Sequence, residues 1–314
     1  MWSLRGTRCL VLGAGGFLGR AVATALCERG AVVHGFGRLP HDHRDLDLRM
    51  TWTTAELSDL GALASAVEGQ AYVFHLLGSS VAEASSFDAS EDLSEHVYRT
   101  VKLLDVCRAA KVRKLVFASS GGAVYGVAPI VPTPETAPAE PISAYGINRL
   151  AIENYLALYR RLHGLEYQVL RVGNAYGPGQ SPFRRQGVVA ATLYRALTGE
   201  PLEVWGPGAT TRDFVHVDDV ASAFAQAVHF SGDHRIMNVG SGEGRSLDAL
   251  IADVKSVLNV PDVPVLRKPA RPADVPVSIL DTELIRRVTP WRPSVRWFEG
   301  LTETANWVRA RYLS

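Results

Sequence analysis

Apolar positions cluster in five short runs over the first 175 residues: "CLVL" (9–12), "AVVHGFG" (31–37), "AYVFHLLG" (71–78), "KLVFASS" (114–120) and "YQVLRVG" (167–173). Runs this short and this uniformly apolar predict strands covered on both faces. Between the runs the apolar spacing changes to three and four. Leu18 to Leu26 follow a helical period, with Gly30 placed to end that helix. Leu93, Val97, Val101 and Leu104 mark a helix over 91–110, and Leu150, Ala151, Tyr155, Leu158 and Leu162 mark another after Tyr145. By amphipathicity alone, these faces simply cover a sheet. Strands alternating with helices predict an α/β fold with a doubly wound parallel sheet.

After about residue 175 the pattern turns irregular, in "NAYGPGQSPF", "VWGPGATTRDFVHVDD" and "KPARPADVPVS". Glycine, proline and arginine concentrate there, as in loops that grip a ligand. The expected division is a dinucleotide-binding Rossmann domain over 1–175, to which 213–240 returns. A smaller C-terminal α/β substrate-binding domain takes 176–212 and 241–314.

Composition narrows the function classes. Of 314 residues, 47% are hydrophobic and 21% charged, an ordinary globular balance with no disordered tail. Lysine plus arginine (33) nearly cancels aspartate plus glutamate (32), so no general attraction to nucleic acid or an anionic membrane is expected. An anionic ligand must then be met by local arginines. Cys9, Cys27 and Cys107 lack metal-ligand spacing and read as small buried residues in a reducing cytoplasm. Asp213, Asp218 and Asp219 read as structural, and no metal site is expected. The run "CLVLGAGGFLG" is too short and too rich in glycine for a secretory signal or a membrane span.

Gly13, Gly16 and Gly19 form G-x-x-G-x-x-G between the first strand and its helix. One glycine permits the tight turn, the next lets backbone approach a pyrophosphate, and the third allows close helix–sheet packing. In that setting the triple points to a dinucleotide. The carboxylate that usually ends the second strand and holds the ribose hydroxyls of NAD is Gly37 here, followed by Arg38. An arginine without a competing acid can pair with the 2′-phosphate of NADP, so NADP is favoured over NAD. Arg38 could equally be a solvated side chain or stack on adenine. Asp42, Asp45 and Asp47 lie just downstream and could restore an acid.

The segments "GAGGFLG", "VFHLLG", "FASSGGAVYG", "SAYGINRLAIE", "LRVGNAYGPGQ", "TRDFVHVDDVA" and "RPADV" run almost end to end. In them the chain resembles the extended short-chain dehydrogenase/reductases, in the nucleotide-sugar epimerase/dehydratase branch that includes UDP-glucose/UDP-galactose 4-epimerases. The resemblance implies that Tyr145, Arg149 and Ser120 are catalytic. It further implies cofactor contacts from Gly13, Gly16, Phe17, Leu18, Gly19, Arg38, Glu56, Leu57, Leu76, Gly78, Ser119, Tyr145 and Arg149. A nucleotide-diphosphate sugar would be met by Ser120, Gly121, Tyr145, Asn174, Trp205, Arg212 and Arg271. The guanidinium forks of Arg212 and Arg271, with Asn174, suit a diphosphate in a nearly neutral protein.

In this family a tyrosinate takes a proton from a sugar hydroxyl while the carbon gives hydride to nicotinamide. Lowering a phenol from about 10 to about 7 needs roughly 4 kcal/mol of preferential phenolate stabilisation. The cation expected one helical turn on is usually lysine; Arg149 keeps the charge but cannot pass a proton on. The usual serine or threonine falls on Gly121, leaving Ser119 or Ser120 to donate to the substrate or merely to close a strand end. The usual helix asparagine falls on His96, whose pKa range suits packing or acid–base work. His75 reads as structure near the cofactor. Five prolines between Pro129 and Pro141 stiffen a rim that presents Tyr145.

Three functions fit: a 4-epimerase, an NADPH-dependent reductase of a nucleotide-linked 4-keto sugar, and a catalytically impaired binding protein. "GGA" replaces the acid pair of a dehydratase. The resemblance also implies a homodimer through the 91–110 and 145–163 helices.

Overall fold

The computed structural model describes residues 3–38, 47, 49–78, 89–183, 187–270 and 274–313. Asp42, Asp45 and Arg271, singled out above, lie outside them. Seven parallel strands make the main sheet: β1 (Arg8–Leu12), β2 (Val32–Phe36), β3 (Thr51–Thr53), β4 (Tyr72–His75), β5 (Lys114–Ser120), β6 (Glu166–Val172) and β10 (Ile236–Val239). Their order is β3-β2-β1-β4-β5-β6-β10. The chain runs outward from β1 to β3, then crosses back to β4 and proceeds the other way. The reversal opens a crevice at the carboxyl ends of β1 and β4, where sheets of this kind hold their ligands. In register, Leu12 lies beside Phe36 on one side and His75 on the other.

All five expected strands are present. The two edge strands β3 and β10 lie outside the five apolar runs: "TWT" has a single apolar residue, and "IMNV" is interrupted by Asn238. Burial alternates along β1: Cys9 and Val11 enter one core, with Val22, Leu26, Val220 and Phe224 from the helices Phe17–Glu28 and Val217–Ala227. Leu10 and Leu12 enter the other, with Leu103 and Leu104 from Arg99–Ala109 and Ile152 and Leu156 from Ala144–His163. Fully burying side chains of this size contributes about 1.5–3 kcal/mol each. All three cysteines are unpaired and buried. Burial pushes the Cys9 thiol up to about 12 and, with help from Asp47, Cys27 up to about 11. Neither is poised as a nucleophile.

The remaining strands are β7 (Asn174–Tyr176), β8 (Leu202–Trp205), β9 (Thr211–His216), β11 (Gly244–Ser246), β12 (Val265–Lys268) and β13 (Val277–Ser278). β9 is their hub: β7 and β13 pair with it in parallel and β11 antiparallel, while β12 pairs with β8. Val189, Leu193, Val204, Phe214, Leu250 and Leu301 form the core beneath them. Two buried carboxylates stitch the loops. Asp213 accepts from Ser241 N and Oγ (2.7 and 2.6 Å), Gly242 N (3.2 Å) and Leu280 N (3.2 Å). Asp219 accepts from Ser294 N and Oγ (both 2.8 Å) and Val295 N (3.2 Å). No helix among the described residues is long and apolar enough to cross a membrane.

Candidate active site

The glycine turn sits where the crevice begins. Gly13 N donates to Phe36 O (2.8 Å) and Gly16 N to Gly13 O (2.9 Å), with Gly13 at φ +84°. A Cβ on Gly13 would lie 3.2 Å from the Leu76 carbonyl, and one on Gly19 would overlap the Gly13 backbone, reaching 2.6 Å from its carbonyl carbon. Both positions need glycine for close approach. Gly16 begins the helix Phe17–Glu28 with no side-chain cap, so its first N–H groups are free to meet an anion. Phe17 and Leu18 form that first turn. A pyrophosphate of a dinucleotide fits this arrangement.

At the end of β2, Gly37 (φ +134°) holds no acid, and Arg38 is exposed. The Trp52 indole packs on Gly35 and donates from Nε1 to Gly37 O at 3.2 Å. Asp47 is engaged elsewhere: its carboxylate accepts from Arg49 Nε at 2.8 and 3.1 Å, and this pairing holds it below the usual range. Glu56 is exposed, whereas Leu57 is a core residue rather than a surface one.

Tyr145 opens the helix Ala144–His163, whose N-cap Ser143 accepts from Gly146 N at 3.2 Å. Positions 145, 149 and 153 share one helix face. Arg149 is 6% exposed; its guanidinium lies over the Tyr145 ring (4.9 Å to the centroid) and the Phe117 ring (5.3 Å). Nη1 donates to Leu77 O (3.3 Å) and Ala118 O (3.2 Å), at the ends of β4 and β5. A side chain on Gly78 would collide with this guanidinium. The cation is therefore fixed by strand-end carbonyls, and among the described residues no carboxylate pairs with it.

Ser119 departs from expectation. Its hydroxyl is buried and donates to Glu153 Oε1 at 2.5 Å. Glu153 also accepts from Arg171 Nε (3.1 Å) and Nη2 (2.6 Å), and Arg171 stacks on Tyr125 (4.7 Å). A buried pair of this kind is satisfied and static. Ser120 faces the crevice. Its Oγ would lie 3.9 Å from a Cβ on Gly122, as would Ser278 Oγ, with Asn174 Oδ1 at 3.5 Å. Ser120, Asn174 and Ser278 thus ring one open backbone position. Nothing in the sequence around Ser278 marks it as a neighbour of Ser120 and Asn174. Gly121 is tightly covered by Leu280.

Arg212, on β9, donates from Nη1 to Thr211 O (2.9 Å) and Val275 O (2.7 Å), and burial lowers its pKa against the pull of Asp274. Trp205 ends β8 and is half-buried.

His96 has an acid partner one helical turn earlier, Asp92. It lies in a π-helical turn, Leu93–Tyr98, with Nε2 3.2 Å from Asp92 Oδ1. Asp92 Oδ2 accepts from Asn148 Nδ2 at 2.6 Å, tying the turn to the helix of Tyr145. Burial and the Arg149 charge lower the His96 pKa, opposed by Asp92. Thr100 donates to His96 O (2.5 Å), so its oxygen accepts from His75 Nε2–H (2.9 Å). His75 Nδ1 is then a buried lone pair without a hydrogen-bond partner.

The profile of the NAD dependent epimerase/dehydratase family matches residues 9–240. The chain is 35% identical over 311 residues to a UDP-glucose 4-epimerase of Mycolicibacterium smegmatis, covering 96% of this chain and 98% of that one. It is similar in structure to Thermotoga maritima UDP-glucose 4-epimerase with UDP-glucose (TM-score 0.92, 33% identity, covering 97% and 99%). Thermus thermophilus UDP-glucose 4-epimerase in complex with NAD gives a TM-score of 0.90 at 33% identity, covering 97% and 100%.

The polar residues behind the site set a pH limit. Burial, then the Arg149 charge, pushes His75 down to about 3 from an ordinary value of 6.5. Below pH 6.5 the unfolded chain binds a proton that the folded one refuses, so stability falls toward acid. Between pH 7 and pH 5 the expected loss is about 2 kcal/mol from this residue. Urea unfolding of the unaltered protein and His75→Phe at both pH values checks it: the variant should lack that increment.

Proposed function

The chain belongs to the NAD dependent epimerase/dehydratase family, and we propose that its reaction is 4-epimerisation of a nucleoside-diphosphate sugar. The observation that carries this is Tyr145 stacked with a buried Arg149 that is held by the carbonyls of Leu77 and Ala118. End-to-end similarity to UDP-glucose 4-epimerases supports it.

NAD or NADP, when bound, supplies a hydride acceptor and donor at the sugar carbon. Gly13, Gly16, Phe17 and Leu18 would hold its pyrophosphate at the helix N-terminus. Tyr145 takes the proton from the sugar hydroxyl during oxidation and returns it after the sugar has turned over in the site. Arg149 places positive charge beside the phenol whose oxygen must carry negative charge. Ser120 donates to the same sugar oxygen. Asn174, Arg212 and Arg271 pair with the diphosphate, with Trp205 near the base; residues 176–212 and 241–314 form this substrate side. Since Tyr145 gives back what it takes, epimerisation needs no proton relay, and an arginine can stand where a lysine is usual.

The bare end of β2 at Gly37, the exposed Arg38 and the engaged Asp47 favour NADP over NAD. They also favour a second reading, an NADPH-dependent reductase of a nucleotide-linked 4-keto sugar. We further propose a homodimer in the cytoplasm. Leu93, Tyr98, Ile147, Tyr155, Leu158 and Leu162 are exposed on the helical face that would pair. A light-scattering mass near the 34.0 kDa of one chain would exclude the dimer.

Product analysis tests the reaction. With UDP-glucose and catalytic NAD or NADP, proton NMR should show UDP-galactose accumulating while absorbance at 340 nm stays level. If neither cofactor supports conversion, the epimerase reading fails. Titration should show NADP binding at least about tenfold more tightly than NAD, the effect of one charge-assisted pair; equal affinities would remove the role given to Arg38.

A further inference from the structure

Gly121 takes the place of a hydroxyl residue, and the structure shows what fills the space. A Cβ on Gly121 would lie 2.5, 2.7 and 3.1 Å from Cδ1, Cδ2 and Cγ of Leu280. Leu280 is 1% exposed and packs with Val124 and Tyr125, on and just after the short helix Gly121–Val124. It is a peg rather than a mobile side chain. Its N–H donates to Asp213 Oδ2, and its neighbours are bound by Thr133, which donates from N to Ile279 O (2.8 Å) and accepts from Asp281 N (2.9 Å). Asn238 Nδ2 closes the clasp on Thr133 O (2.9 Å) and Asp281 O (3.0 Å).

Residues 278 and 280 point to the same side of an extended segment. One sets its hydroxyl over Gly122 and the other its isobutyl group over Gly121. Gly121 therefore lets this segment descend onto the end of β5, whereas Gly122 has ordinary room for a side chain. Ser120, the N-cap of the short helix, makes no side-chain cap bond. Its neighbour Gly121 is the residue that Leu280 covers.

We infer that Leu280 is a positioning residue for Ser120, and that Gly121 and Leu280 are one matched pair that keeps the active site complete. The chain segment Ser278–Leu280 thereby sets the height of the turn carrying the catalytic hydroxyl. Displacement of a reacting group by about 1 Å can cost on the order of a hundredfold in rate. This rests on the reading of Tyr145 and Ser120 as the acid–base site.

The test is a double-mutant cycle with UDP-glucose as substrate and urea unfolding in parallel. Gly121→Ser and Leu280→Ala should each lower kcat at least about tenfold with KM changed less than about threefold, and the double variant should return kcat to within about threefold of the unaltered protein. The urea midpoints, which need no substrate, should show the same recovery. Losses that simply multiply, or a Gly121→Ser protein as active and stable as the parent, overturn the assignment. If Leu280→Ala does not fold, the double variant must; its failure to fold also overturns it. Tyr145→Phe is measured alongside. If that variant keeps full activity, the acid–base reading has failed, and the Leu280 assignment is judged on the urea cycle alone.

Discussion

A buried guanidinium needs partners, and Arg149 finds them in two backbone carbonyls at the ends of β4 and β5. Burying such a charge with a carboxylate would have neutralised it; burying it with none would cost several kcal/mol. The two carbonyls accept from Nη1 and leave the charge intact. The Tyr145 and Phe117 rings complete the cage, and Gly78 supplies the room. Parallel strands whose carbonyls converge at one edge make this possible. The rest of the site is arranged about that fixed charge.

Around it, ionisable groups divide into those committed to structure and those left for chemistry. Glu153, Arg171 and Ser119 satisfy one another inside the sheet. Asp213 and Asp219 hold loops by accepting several donors each. His75 is kept neutral by burial and by Arg149. Tyr145 and Ser120 lie outside these closed networks, toward the crevice and the glycine turn. The chemistry therefore falls to few groups, each carried on a rigid element.

Local pattern made much of this legible. The apolar runs predicted strands β1, β2, β4, β5 and β6, and the glycine triple predicted where the first helix starts. Tyr145 and Arg149, one helical turn apart, could be placed on one face. Contacts between residues distant in sequence were not legible. Nothing at 121 announces Leu280, and nothing in "RPADVPVS" announces that Ser278 stands beside Ser120 and Asn174. Ser119 and Ser120 are indistinguishable as letters; strand alternation sends one inward to Glu153 and the other to the cleft. Asp92 could have been noticed four residues before His96, the spacing that brings helix side chains together. Its tie to Asn148 could not.

The central claim is that Tyr145, with Arg149 as its fixed counter-charge, performs the proton transfer. Replacing one oxygen tests it most directly. Tyr145→Phe should fold with an unchanged urea midpoint and bind cofactor normally, yet lose at least about a thousandfold in kcat for the conversion of UDP-glucose to UDP-galactose, within the range general acid–base groups supply. A Tyr145→Phe protein that converts the sugar within about threefold of the parent rate would contradict the account.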